Sequence, residues 1–119
     1  MDTISLQELH QLAMKEVGTF LEEGGYEFLA INSKIKRSPQ FVCVKDKLLY
    51  FVVVSACLYP VSPNVYDIKL MDKVKLHAKK NNAKLYFAGV GFANAEDYNF
   101  PLSKNNPYII NFNGLKKIL

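Results

Sequence analysis

Arginine is nearly absent from this chain. Of fifteen basic residues among 119, fourteen are lysine and only Arg37 is arginine. Bidentate recognition of phosphate or guanine favours arginine's planar fork, so sequence-specific readout of nucleic acid has little to work with. A lysine-rich balance with net charge +4 can still hold a phosphate backbone without sequence preference, or can simply be a solvated surface. Cysteine and histidine are also scarce. Cys43 and Cys57 lack CxxC spacing, and His10 and His77 stand far apart in the chain. Zinc ligands would have to converge from scattered positions, so two small buried thiols are the expectation. Neither cysteine has a histidine base near it in sequence, the pairing that nucleophilic catalysis needs.

Long apolar runs are missing too. No stretch approaches the roughly 18 apolar residues of a membrane span. The longest, Leu48 to Pro60, is rich in β-branched and aromatic residues and reads as a buried strand. The start "MDTISLQELH" carries an acid at position 2 and no basic opening, so it is not a secretory signal, and the expected location is the cytoplasm, with no membrane partner. There is no GxGxxG and no P-loop. "GVGF" at Gly89 to Phe92 lacks the third glycine and a following helix, so it is expected to let the backbone turn at a strand end. No cofactor is expected. With half its residues hydrophobic and no linker or repeat, the chain reads as one domain over 1–119.

What is present has a clear order. Ser5 with Glu8 three residues on makes a capping box. Leu6, Leu9, Ala13, Val17, Phe20 and Leu21 then form one apolar stripe, and Gly24 and Gly25 supply a left-handed stop. "YEFLAINSKI" is the first strand and "QFVCVK" the second. Asp46-Lys47 is the turn, and "LLYFVVVSACLY" is a third strand, apolar enough to lie centrally in a sheet. A second helix is expected from Asn64, with Ile68, Met71, Val74 and Ala78 inward and Lys69, Lys73 and Lys80 on another face. "AKLYFAGVGF" is a fourth buried strand, followed by a polar loop of about fifteen residues, an uncommon length. "YIINF" is a last short strand, and "NGLKKIL" is expected as a helical turn. The fold class is α/β. It comprises an α-β-β-β-α-β mixed sheet flanked by helices, with a short C-terminal β-α tail.

"FLEEGGYEFLAIN", Phe20 to Asn32, then the basic "SKIKR" and the hairpin "SPQFVCVKDKLLYFVVVSA" carry a resemblance. In element order and local pattern the chain resembles the restriction-endonuclease-like, or PD-(D/E)XK, superfamily. It is similar to the small bacterial branch of putative endonucleases related to Holliday-junction resolvases. The similarity covers roughly residues 10 to 92 and rests on hydrophobic pattern with Gly25, Tyr26 and Asn32. The resemblance implies an Asp opening the second strand, with an acid and a lysine two residues apart closing the third. Together these hold Mg²⁺ and orient a hydrolytic water. Here Pro39-Gln40 takes the Pro-Asp place, and Val53-Val54-Ser55 takes the acid-x-Lys place. Gln40 offers no charge, Val53 offers nothing, and Ser55 cannot replace an ammonium, so the catalytic and metal roles carry over to none of them. The branch's helix acid falls on Met14, with Glu16 nearby, and Asp46, Asp67, Asp72, Glu96 and Asp97 read as ordinary surface acids.

The resemblance and the residues together leave three readings. One is a non-catalytic domain with a protein-interaction or assembly role, with an unknown protein partner or a second copy, touching through the tail "YIINFNGLKKIL". Another is non-specific binding of DNA or RNA, with Lys34, Lys36, Arg37, Lys69, Lys73 and Lys80 on phosphates and Tyr66 or Tyr98 stacking on bases. The third is a metal-dependent nuclease with relocated ligands. A continuous basic face beside the hairpin would favour nucleic acid, whereas scattered lysines and an apolar patch would favour a protein partner.

Overall fold

The computed structural model describes residues 3–35 and 37–119, so Lys36, one of the candidate phosphate contacts, lies outside the described residues. Helix α1 runs Leu6–Glu23, and its capping box is complete: the Ser5 hydroxyl accepts from the Glu8 amide, and the Glu8 carboxylate from the Ser5 amide, each at 3.0 Å. The buried stripe is Leu9, His10, Ala13, Met14, Val17 and Leu21. It is rotated slightly from the expected one. Leu6 (77% exposed) sits in the first turn, off the sheet, and Phe20 (41% exposed) meets Phe112 edge-on at 5.2 Å. The left-handed stop falls to Gly25 alone, with φ 84°, because Gly24 keeps a right-handed φ of −79°.

Strands β1 (Glu27–Ile31), β2 (Phe41–Lys45) and β3 (Leu48–Leu58) form an antiparallel meander. Asp46 and Lys47 take φ of 51° and 67°, the pair of left-handed residues that a two-residue hairpin turn uses to match strand twist. Helix α2 (Ile68–Lys80) crosses to β4 (Lys84–Asn94), parallel to β3 from Tyr50↔Lys84 to Leu58↔Phe92. Strand β5 (Tyr108–Phe112) pairs antiparallel with the far half of β4, giving the order β1-β2-β3-β4-β5. The apolar third strand is central, as its continuous hydrophobic run requires. Val52 and Val54 point to the core under α1, and Phe51 and Val53 to the core under α2. The helices therefore cover opposite faces of the sheet.

Several expectations give way to tertiary context. α2 starts at Ile68 rather than Asn64, because Asp67 is the N-cap, its carboxylate accepting from the Leu70 amide at 3.1 Å. Ile68 is then the first helical residue and is 70% exposed, leaving Met71, Val74 and Ala78 inward. The tail ends in strand β6 (Lys116–Lys117) rather than in a helical turn. β5 covers β4 only over Val90–Asn94, so the edge near Leu85 lies open, and Ile118 N–H donates to Leu85 O at 2.9 Å while Leu85 N–H donates to Leu119 O at 3.0 Å. An open edge offers paired backbone bonds at once, whereas one isolated helical turn bears the full nucleation cost. "GVGF" lies inside β4, not at its end: Gly89 admits Pro63, whose carbonyl oxygen would stand 1.7 Å from a Cβ there. The long loop before β5 is held by Leu102, 1% exposed, and by the Ile4 amide donating to Leu102 O at 2.9 Å.

Candidate functional site

The hairpin strands part at one end of the sheet. β2 begins at Phe41, opposite Val52, so β3 beyond Val52 has β4 on one side and no strand on the other. The chain at Ser33 is drawn toward α1 instead: Gln7 and Gln11 side-chain amides donate to Ser33 O at 3.1 and 3.2 Å. A cavity of about 270 Å³ opens in the gap, with the first turns of both helices at its walls. Leu6, Leu9 and His10 come from α1, and Tyr66, Asp67 and Leu70 from the start of α2. Gln40, Val53 and Ser55, the three positions singled out in the sequence, all line it.

Gln40 has a definite task there. Its amide donates to Val52 O at 3.0 Å and its carbonyl accepts from Asn32 N–H at 2.7 Å, which extends the ladder one residue past β2. Its side-chain Oε1 then accepts from Val54 N–H at 2.8 Å, supplying the partner that a longer β2 would have given. At 2% exposure, with Nε2 3.3 Å from the Ser38 hydroxyl, this amide is a buried strand extension. Val53 is 4% exposed and packs in the core under α2, while Ser55 is half-buried at the cavity wall.

The acids do not gather around this frame. Asp46 is in the hairpin turn, at the opposite end of β2 and β3. Met14 is buried among apolar residues, and Glu16 is not on the cavity wall. Among the described residues, the acid that lines the cavity is Asp67, already engaged in capping α2. Among the described residues, no three His, Cys, Asp or Glu side chains group closely enough to hold a metal ion.

Charge is divided between the two faces. α1 carries Glu8, Glu16, Glu22 and Glu23 against the single Lys15, whereas α2 carries Lys69, Lys73, Lys75, Lys79 and Lys80 against the single Asp72. Lys69, Lys73 and Lys80 are exposed, as are Lys34 and Arg37 in the segment across the cavity from the start of α2. Other lysines lie elsewhere: Lys45 stands over the Tyr26 ring at 4.9 Å, Lys104 pairs with Glu8 at 3.0 Å, and Lys116 stands over Tyr66 at 5.3 Å. Tyr66 is thus half-buried against Phe87, and Tyr98 packs on Tyr59 at 5.5 Å, at the β4–β5 end.

His10, considered in the sequence only as a scattered metal ligand or base, shares the buried stripe with Met14, Val17 and Leu21 at helical spacing. It is 3% exposed, lines the cavity, and its Nε2 is buried with no hydrogen-bond partner. Burial holds the imidazole below its ordinary pKa, so it is neutral at pH 7. Leaving such an atom unpaired costs on the order of 1–3 kcal/mol. The cysteines follow the bland expectation. Both are free, Cys43 is fully buried and its thiol is pushed up to about 11, and Cys57 is half-buried and shifted the same way, so neither is an activated nucleophile.

Fold and site together define a mixed α/β domain in which a hairpin and two helix N-termini frame one end of a six-stranded sheet. The chain belongs to the family described as Domain of unknown function (DUF8840), whose model matches residues 7–118. No curated protein matches it. Among the described residues, no helix is long and apolar enough to cross a membrane.

Proposed function

We propose that this chain is a restriction-endonuclease-like domain that has given up nuclease chemistry and acts by binding protein, first of all a second copy of itself. The element order and the convergence of Gln40, Val53 and Ser55 on one cavity support the superfamily reading. The occupation of Gln40 in the β3 ladder supports the loss of chemistry. A cytoplasmic setting suits the free thiols of Cys43 and Cys57.

The observation that carries the assembly role is the state of the two sheet edges. β1 is interrupted by a bulge between Phe28 and Ala30, a device that spoils pairing with another chain. β5 has no such guard. Tyr108–Phe112 contains no charge, and Tyr108, Ile109 and Ile110 are 40, 41 and 36% exposed. Beside it lies an apolar groove lined by Tyr59, Val61, Pro63, Tyr98 and Ile109. An unguarded, apolar edge strand is a template for antiparallel pairing, and a two-fold axis through it closes the assembly at a dimer. Sedimentation at micromolar concentration is expected to give a dimer, and Ile110→Lys to weaken dimerisation by about 100-fold. A parent protein that stays monomeric at 100 µM (about the upper end of specific association) would overturn this reading.

A second reading rests on the charge division. The α2 face, with Lys69, Lys73 and Lys80 and with Lys34 and Arg37 across the cavity, could neutralise a phosphate backbone. Duplex binding would then fall by about 0.9 log unit per log unit of salt for each phosphate neutralised, and Lys69→Ala with Lys73→Ala would flatten that slope by about two contacts. Binding indifferent to salt, or none near 50 mM salt (a regime where such contacts are strong), removes it. Metal-dependent cleavage of supercoiled, branched or single-stranded substrates belongs to neither reading and would restore the relocated-ligand nuclease.

A further inference from the structure

Strand β5 leaves one side of its backbone unused, and the phase of its pairing with β4 identifies the free groups. Residues opposite one another in an antiparallel ladder alternate between pairs that exchange hydrogen bonds and pairs that do not. Ala95 N–H donates to Pro107 O at 3.0 Å, so the next pair, Asn94↔Tyr108, exchanges none. By alternation Ile109 and Asn111 bond to Ala93 and Gly91, while Tyr108, Ile110 and Phe112 direct N–H and C=O away from β4. Phe92, opposite Ile110, agrees with this phase: its carbonyl serves the β3 side, accepting from Tyr59 N–H at 2.8 Å. Among the described residues, the three outward pairs of groups have no backbone partner.

We propose, resting on the assembly reading above, that two copies join β5 to β5 with Ile110 on the two-fold axis. Outward groups must meet outward groups, so the axis passes through a residue. Centred on Ile110, it sets Ile110 against itself and Tyr108 against Phe112 of the second copy. That register uses every free residue of both edges, about six ladder bonds, against about four for an axis on Ile109 or Asn111. Those alternatives also run off the strand. One reaches Asn106, whose amide is taken by Ser103 O, and the other Gly114, whose φ of 82° bends the chain.

The faces match as well. Tyr108 of each copy comes beside Phe112 of the other, which already carries the exposed Phe20 edge-on at 5.2 Å. On the opposite face Ile109 stands across from Asn111, a wall residue of the apolar groove, in the second copy. Charge favours a like partner: Asn105 to Leu115 carries no charged residue, so identical edges meet without repulsion although the chain's net charge is +4. A stable dimer buries about 800 Å² on each partner, so side chains of both faces contribute along with the backbone row. The axis is perpendicular to the sheet. Both α2 helices therefore lie on one face of the joined sheet and both α1 helices on the other, which doubles the division of charge.

The test begins with sedimentation, to establish the dimer, and continues with cysteine cross-linking. In a Cys57→Ser background, with Cys43 kept because it is fully buried, Ile109→Cys and Asn111→Cys proteins are oxidised singly and as an equal mixture. In the proposed register position 109 faces position 111 of the second copy, about 4.5 Å away between Cα atoms and within disulfide reach. Like positions are diagonal, about 7–8 Å apart. Cross-linked dimer is therefore expected from the mixture and from neither variant alone. Hydrogen exchange of the unaltered protein gives a second readout. Raising its concentration through the dimerisation range should protect the Tyr108, Ile110 and Phe112 amides and leave Ile109 and Asn111 unchanged. Cross-linking by one variant alone, a dimer without the mixed cross-link, or protection that omits Tyr108 or Phe112 would overturn the register while the dimer stands. A monomer in sedimentation would remove the assembly reading and this proposal with it.

Discussion

Gly89→Ala is expected to destabilise the domain by about 3 kcal/mol or more, the upper range for forcing atoms into a packed interior. The added Cβ would lie 1.7 Å from the Pro63 carbonyl oxygen and 2.8 Å from its carbon. These two nearest obstacles are backbone, so a rotamer change, even of Phe87 whose ring edge would stand 2.9 Å away, does not relieve the clash. Nor can the obstructing segment slide away freely. Pro63 is buried, and the chain leading to it is tied by Tyr59 N–H to Phe92 O at 2.8 Å and Val61 N–H to Leu58 O at 3.0 Å. Two residues on, at Gly91, a Cβ would meet only the Pro63 ring at 3.4 to 3.5 Å, an ordinary contact. Gly91→Ala should therefore remain within about 1 kcal/mol of the parent. Urea unfolding of the two variants side by side tests the argument, and equal stabilities would refute it.

Gln40→Met is expected to cost about 1–3 kcal/mol, although it keeps shape and burial nearly unchanged. The loss is specific: Val54 N–H, now bonded to Oε1 at 2.8 Å, would be left buried without an acceptor. Val54 is 4% exposed, so water cannot readily take over. Stability alone would not separate this from poor packing, but amide exchange at Val54 does. Its protection should fall more than that of the Gln40 backbone amide, which donates to Val52 O in parent and variant alike. Unchanged protection at Val54 would show that the side chain does not extend the ladder.

The hairpin illustrates how far local reading goes. Its turn, strands and register follow from Asp46-Lys47 between two apolar runs, because a two-residue turn fixes which residues face each other. The same register brings Gln40 beside Val53, so the location of the candidate site was legible. What Gln40 does there was not. Its role depends on β2 beginning one residue after it, at Phe41, while β3 runs on past Val52, a mismatch visible only when the strands are paired. His10 was hidden for a related reason. Periodicity places it on the stripe of α1, but only the packed structure shows that its Nε2 is buried with no partner.

The sequence by itself determined the α/β class, the element order up to β5, the capping box on α1 and the central place of β3. Each rests on contacts among near neighbours or on apolar periodicity, which a linear string records. Tertiary structure decided the rest. The tail became a strand because β4 had an unfilled edge, and Gly89 proved to be a contact point because Pro63 arrives from another segment. Opposite charge came to lie on opposite faces because the crossover carries α2 to the side that α1 leaves open. All of these are pairings between residues far apart in the chain, and such pairings are set by how the layers close on one another rather than by local preference.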